Sequence, residues 1–382
     1  MVVRCRPGIV LNSVFATVPD QRCTAVRCTA SGKRSSLSPS FTHDVSPQRV
    51  VFAPGALARI GEEAERLKFS RALVVATPGS GARLGEKIIG LLGARAVGLH
   101  AQAVIHVPKA VAEAGLLAAR EAKADGLIAA GGGSAIGLAK AIARDTGLPI
   151  IAVPTTYSGS EATTIFGISE GARKVTGRDV KVLPRTVVYD PDLTLDLPAS
   201  VSAASGMNAI AHCVESFWAD GRTPVTLALA SEATRRFAKN LPAVMADGHD
   251  GEARAQCLVA AWLSGCVLSV SNGLQHKLAH VLGGLSLPHA QAHAIILPHV
   301  TRFNLQAAPE TRARLAEALG SHDPAEAIAN MLRQFPIPQR LSEIGFDAGK
   351  TDFVAGEIAA QSITSPRPVS AADVRELLNA AF

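Results

Sequence analysis

Apolar and polar positions along this chain follow two rhythms that change over near Asp190-Pro191. In the first half, short apolar runs alternate with stretches of helical spacing. Arg49–Phe52, Ala72–Thr77, Ala96–Val107, Gly126–Ala130 and Pro149–Val153 read as strands, with helices over Leu84–Leu92, over Val111–Lys123 and from Ser134 through Ala143. Strands alternating with helices imply a parallel sheet covered on both faces. In the second half, Pro198–Trp218, Thr226–Asn240, Glu252–Val270, Gly273–Leu285, Ala313–Leu319, Ala325–Phe335 and Ala371–Ala381 favour helix, and few β-branched runs remain. The expected architecture is an α/β domain over residues 41–198 and an all-α domain over residues 199–382. Residues 1–40 are expected to be a disordered extension.

Composition narrows this picture. A chain of 382 residues exceeds the size at which one core usually stops growing. Apolar runs such as Ala72–Thr77 are too short to span a bilayer, so a soluble protein is expected. The net charge of +6 is concentrated at one end: Arg4, Arg6, Arg22, Arg27, Lys33 and Arg34 face only Asp20 within residues 1–40. That segment, rich in Ser, Thr and Arg, reads either as a transit-peptide-like leader or as an unstructured extension, and the second reading is preferred. The rest is nearly neutral and has no basic stripe with interleaved aromatics, so nucleic acid is not an expected partner. Cys213, Cys257 and Cys266 are scattered and suit a reducing cytoplasm.

Two groups of residues carry chemistry. Gly131-Gly132-Gly133-Ser134 joins a strand to a helix, where glycines let the backbone approach a pyrophosphate and the helix N-terminus offers free N–H groups. The spacing is not G-x-G-x-x-G, and a tight turn would use the same residues. Pro154-Thr155-Thr156-Tyr157-Ser158-Gly159-Ser160-Glu161 follows the next strand. The second group is histidine-rich. Asn208 and His212 stand four residues apart, as do His276 and His280, and His289 and His293 follow. Residues at i and i+4 share a helix face, so each pair can aim at one point. The pattern is that of a metal site in which Asn208 supplies a neutral amide where a carboxylate would be expected.

In order, Gly-Gly-Gly-Ser, Pro-Thr-Thr-x-x-Gly-Ser-Glu, Asp190-Pro-Asp-Leu-Thr-Leu-Asp-Leu-Pro198, Gly206-Met-Asn-Ala209 and the 276–304 block resemble the iron-containing (group III) alcohol dehydrogenase superfamily, and within it the maleylacetate reductases. The resemblance runs from about Phe41 to Asn304. It implies a nucleotide-binding α/β domain, a helical domain and an active site between them. Asn208 and Gly137 stand where the metal-dependent branch carries aspartates, and both departures, with Gly177-Arg178-Asp179, look like maleylacetate reductase.

The resemblance implies reduction of the carbon–carbon double bond of maleylacetate to 3-oxoadipate by NADH or NADPH, in the cytoplasm and by a homodimer. No metal is expected to be required: Asn208, His212, His276 and His289 would hold the developing enolate by hydrogen bonds, and His280, or else His276, would deliver the proton. Lys277 and Arg178 would hold the carboxylates of the dicarboxylate substrate. Gly131, Gly132, Gly133 and Ser134 would hold the pyrophosphate, with Thr155, Thr156, Ser160, Lys174 and Leu193 also on the cofactor. No acid follows Ala76-Thr77-Pro78-Gly79 to claim a ribose hydroxyl, so either cofactor is compatible. The competing readings are a metal-dependent alcohol or glycerol-type dehydrogenase, a lyase like dehydroquinate synthase, and a nucleotide-binding protein without catalysis.

Overall fold

The computed structural model describes residues 41–170, 173–268, 270 and 273–382, with only the backbone of Arg173 and Lys174. The expectation for residues 1–40 lies outside the described residues. Six parallel strands form one sheet: β1 (Arg49–Phe52), β2 (Ala72–Ala76), β3 (Ala96–His100), β4 (Gly126–Ala130), β5 (Ile150–Val153) and β8 (Thr186–Tyr189), in the order β1-β8-β5-β4-β2-β3. Helices α1 (Ile60–Arg66), α2 (Ser80–Leu92), α3 (Lys109–Glu121) and α4 (Gly133–Thr146) supply the crossovers. β2, β4 and β5 are fully buried, which is why their sequences are continuous apolar runs rather than alternations.

Strand order reverses between β2 and β4: β3 lies outside β2, and the chain then crosses back to build β4, β5 and β8 on the other side. Ligands of open α/β sheets sit beyond the carboxyl ends of strands at such a reversal. The turn after β4 is Gly131–Gly133, and the loops after β5 and β8 are its neighbours because those strands are adjacent.

Three expectations for this half are corrected. The strand expected over Ala96–Val107 ends at His100. Ala103 N donates to Ala76 O, so the chain folds over the end of β2 and exposes Val104 and Ile105. β8 was not foreseen, yet without it β1 would have no partner. An antiparallel hairpin, β6 (Ile165–Glu170) and β7 (Arg173–Arg178), was also unforeseen.

The helical half runs α5 (Ala199–Ser216), α6 (Pro224–Ala246), α7 (Gly251–Val267), α8 (Leu274–Gly284), α9 (His289–Leu305), α10 (Pro309–Leu319), α11 (Pro324–Gln334), α12 (Thr351–Ala359) and α13 (Ala371–Ala381). α9 and α12 were absent from the expected helices. Pro298 inside α9 looks like a breaker, but its buried neighbours Ile295, Ile296, Leu297 and Val300 hold the helix by packing. α5 is buried on nearly all sides, so its small residues let neighbours close in: a Cβ on Gly206 would sit 2.6 Å from Leu241.

The loop after β5 is welded onto the helices. Gly159 has φ +70°, and a side chain there would meet Ala261 O at 2.9 Å; a Cβ on the opposing Gly265 would lie only 2.2 Å from Gly159 O. The buried Arg254 donates to Tyr157 Oη, Ser202 Oγ, Leu197 O and Gly248 O, joining that loop to α5 and α7.

Candidate active site

At residue level the site begins on α5, where Asn208, His212 and Glu215 fall at i, i+4 and i+7 and therefore on one stripe. His212 and Glu215 are buried. Glu215 faces the start of α8: its Oε1 accepts from Gln275 N at 2.8 Å and His276 N at 3.4 Å, and its Oε2 pairs with His276 Nδ1. α8 has Gly273 as N-cap with no side-chain cap, so a carboxylate from another helix satisfies its free N–H groups. A carboxylate can only accept, so in the neutral His276 ring the proton sits on Nδ1 and the lone pair on Nε2. That Nε2 is buried without a hydrogen-bond partner, as are His212 Nδ1, His293 Nε2 and Asn208 Oδ1.

The imidazoles pack in sequence. His212 stacks on His276 at 5.0 Å between ring centroids, and His276 meets His293 at 4.8 Å. His293 meets His289 at 4.6 Å, and His289 stacks on His280 at 5.6 Å. Burial, reinforced by the neighbouring rings, holds His212 and His293 well below the usual histidine range, so both are neutral at pH 7. His280 lies at the solvent-exposed end of this row.

The structure thus brings His212, His276, His280 and His289 into one row, with Asn208 one turn before His212 on α5, and adds two residues to which the sequence reading gave no role. His293 stands four residues after His289, the same interval that marked the other pairs. Its Nδ1 lies 3.1 Å from Gln275 Nε2, which also donates to His293 O. Glu215 was legible as the third member of the α5 stripe.

On the sheet side, Gly131 has φ +135°, and a Cβ on Gly132 would sit 2.7 Å from Thr156 Cγ2, so only glycine allows the turns after β4 and β5 to touch. Gly133 opens α4, whose N-terminus has no side-chain cap, and Ser134 lies in its first turn. This bare, glycine-lined helix start fits a pyrophosphate. Thr155 and Thr156 lie half-buried beyond β5, and Leu193 lies beyond β8. The buried Lys140, on α4, donates to Ser160 O, Thr163 O, Thr163 Oγ1 and Ile165 O. Burial pushes its pKa down to about 7, against the pull of Glu161. Lys174 falls on β7 opposite Ser169.

The two expected substrate cations have other partners. Arg178 Nη2 donates to Leu268 O and Val270 O, anchoring the turn after α7. Lys277 Nζ donates to Gln361 Oε1 at 3.3 Å. A cavity of about 690 Å³ lies elsewhere, between Trp218, Arg222, Pro309 and Thr364, and its lining includes none of the expected site residues.

Comparison with known proteins adds a decisive observation. Residues 47–191 match the family described as iron-containing alcohol dehydrogenase, and residues 202–382 match the C-terminal part of the Fe-containing alcohol dehydrogenase family. The chain belongs to the iron-containing alcohol dehydrogenase family. It is 48% identical over 341 residues to maleylacetate reductase 2 of Cupriavidus pinatubonensis, covering 88% of this chain and 95% of that one. It is 42% identical over 343 residues to the maleylacetate reductase of Sphingobium indicum, covering 89% and 97%. The crystal structure of maleylacetate reductase from Agrobacterium tumefaciens superposes with a TM-score of 0.86 at 39% identity, over 90% of this chain and 99% of that one.

Family membership corrects one expectation. The sequence reading held that no metal is required, whereas both family matches are to iron-containing proteins. The donor set fits a divalent cation: buried imidazole nitrogens and an amide oxygen have no hydrogen-bond partner, and burial keeps His212 unprotonated. The present arrangement is not a finished cage, since among the described residues no three His, Cys, Asp or Glu side chains are grouped to hold a metal. The error came from treating the missing carboxylate at Asn208 as loss of the site, when neutral oxygen and nitrogen donors also bind cations. Among the described residues, no helix is long and apolar enough to cross a membrane.

Proposed function

We propose that this protein reduces the carbon–carbon double bond of maleylacetate to 3-oxoadipate with NADH or NADPH, in the breakdown of aromatic compounds. The observation that carries this reading is similarity at 42% to 48% identity, along nearly the whole chain, to relatives named maleylacetate reductase. Bound NAD(P)H would supply the hydride, and a bound divalent cation would polarise the substrate ketone.

The chain's own residues do the remaining work. Gly131–Gly133 and the start of α4 bind the pyrophosphate, Ser134 donates to it, and Thr155, Thr156, Ser160, Lys174 and Leu193 are proposed along the rest of the cofactor. Asn208, His212 and His276 are the proposed cation ligands, with His289 beside them. Hydride adds to the carbon β to the ketone, and the electrons collect as an enolate. His280 then supplies the proton to the α carbon, being the member of the histidine row that reaches solvent and can be reprotonated. Glu215 fixes the ring of His276 without touching substrate. The same reading includes a cytoplasmic homodimer.

Oxidation of NADH on addition of maleylacetate tests the reading directly. Stoichiometric formation of 3-oxoadipate is the expected result. A purified, metal-loaded protein that binds NADH yet turns over no maleylacetate would refute it and favour a plain alcohol dehydrogenase or a nucleotide-binding role.

A further inference from the structure

The loop between β3 and α3 holds two successive residues in left-handed conformation, His106 at φ +66° and Val107 at φ +47°. For a β-branched residue such as Val107 this is a true outlier, and such strain persists only where surrounding structure enforces it. The enforcement is visible. The hairpin clamps the loop, because Ser169 Oγ donates to His106 O at 2.9 Å and Ser169 N donates to Val107 O at 3.1 Å. The buried side chain of Val107 lies against α4, where a Cβ on Gly137 would meet Val107 Cγ2 at 2.9 Å. Glycine at 137 therefore makes room for Val107, and Val107 sets the loop.

The result of this construction is the half-buried His106 ring, edge-on to His289 at 6.3 Å between centroids. It comes from the sheet half of the molecule, whereas the rest of the histidine row comes from the helical half. A dianionic substrate needs hydrogen-bond donors at two carboxylates. The guanidinium of Arg178 is engaged by the carbonyls after α7, and the ammonium of Lys277 reaches Gln361.

We propose that His106 is a specificity-determining residue that donates to one substrate carboxylate, and that Gly137 and Val107 are positioning residues for it. This rests on the maleylacetate reading of the same site. The test is steady-state kinetics together with fluorescence titration of NADH. His106→Ala should raise KM for maleylacetate at least about tenfold, the loss expected for a hydrogen bond to a charged group, with kcat changed less and NADH binding unchanged. His106→Gln, which keeps a donor, should recover part of that loss. Gly137→Ala should raise KM by displacing the loop, and Gly137→Ala combined with Val107→Ala should return KM to that of Val107→Ala alone. A KM within twofold of wild type in His106→Ala, or a parallel loss of NADH binding, would overturn the inference while leaving the reductase reading intact. Absence of maleylacetate turnover in the wild type would overturn both.

Discussion

Glu215→Gln isolates the link between α5 and α8. The amide is nearly isosteric, and its oxygen can still accept from Gln275 N and His276 N, so the cap on α8 survives. Its NH2 group must then face His276 Nδ1, which already carries a proton. The ring has to move its proton to Nε2, converting the buried lone pair into a donor and removing it as a ligand. Loss of the charge-assisted bond and of a carboxylate at a helix N-terminus costs about 2–4 kcal/mol of stability. Outer-shell carboxylates of this kind are worth about 10–100-fold in metal affinity or activity. The assay pairs ferrous-ion affinity, measured by chelator competition, with kcat/KM and denaturant melts. Both affinity and kcat/KM should fall together, with secondary structure retained. Unchanged metal affinity and turnover in a folded Glu215→Gln protein would refute the tautomer argument.

Other outcomes follow from the same geometry. Exhaustive chelation should lower turnover, and added ferrous ion should restore it, as followed by NADH oxidation. Gly132→Ala would drive a Cβ into Thr156, so NADH affinity should fall at least about tenfold, read by fluorescence titration, with about 1–3 kcal/mol of lost stability. Lys140→Met removes a buried donor shared by four oxygen acceptors and should cost about 3–5 kcal/mol in a urea melt. For the buried His212 and His293 the folded pKa is depressed, so the unfolded chain takes up protons first as pH falls. Their stabilising contribution is present above the usual histidine range and lost below it. Stability should therefore fall as pH drops from about 7.5 to about 5.5, checked by the urea midpoint at each pH.

The sequence was most legible where one signal dominated. β2, β4 and β5 are buried on both faces, so their apolar runs could hardly be anything else, and Gly131–Ser134 sits at a strand-to-helix turn as its glycines imply. It was least legible where tertiary contacts overrule local preference. Val104, Ile105 and Val107 have strand composition but sit in a loop held by Ser169 and Ala76. α9 keeps Pro298 because its flanks are buried, and β8 has only four residues. Within the site, spacing grouped the histidines correctly, but it could not show that Glu215 reaches 61 positions along the chain to hold His276. The metal was misjudged for a different reason: the chemistry of one residue, Asn208, was weighed without the buried lone pairs around it.

The position of Lys140 has a consequence for how the cofactor site can change. This one ammonium ties the helix that starts at the glycine turn to the backbone of residues 160–165. Two of the loops expected along the cofactor are thus a single mechanical part, and mutation of either will be felt by the other. The loop after β2, Thr77–Gly79, is not tied in by that ammonium. A shift of preference between NADH and NADPH would most readily be selected there.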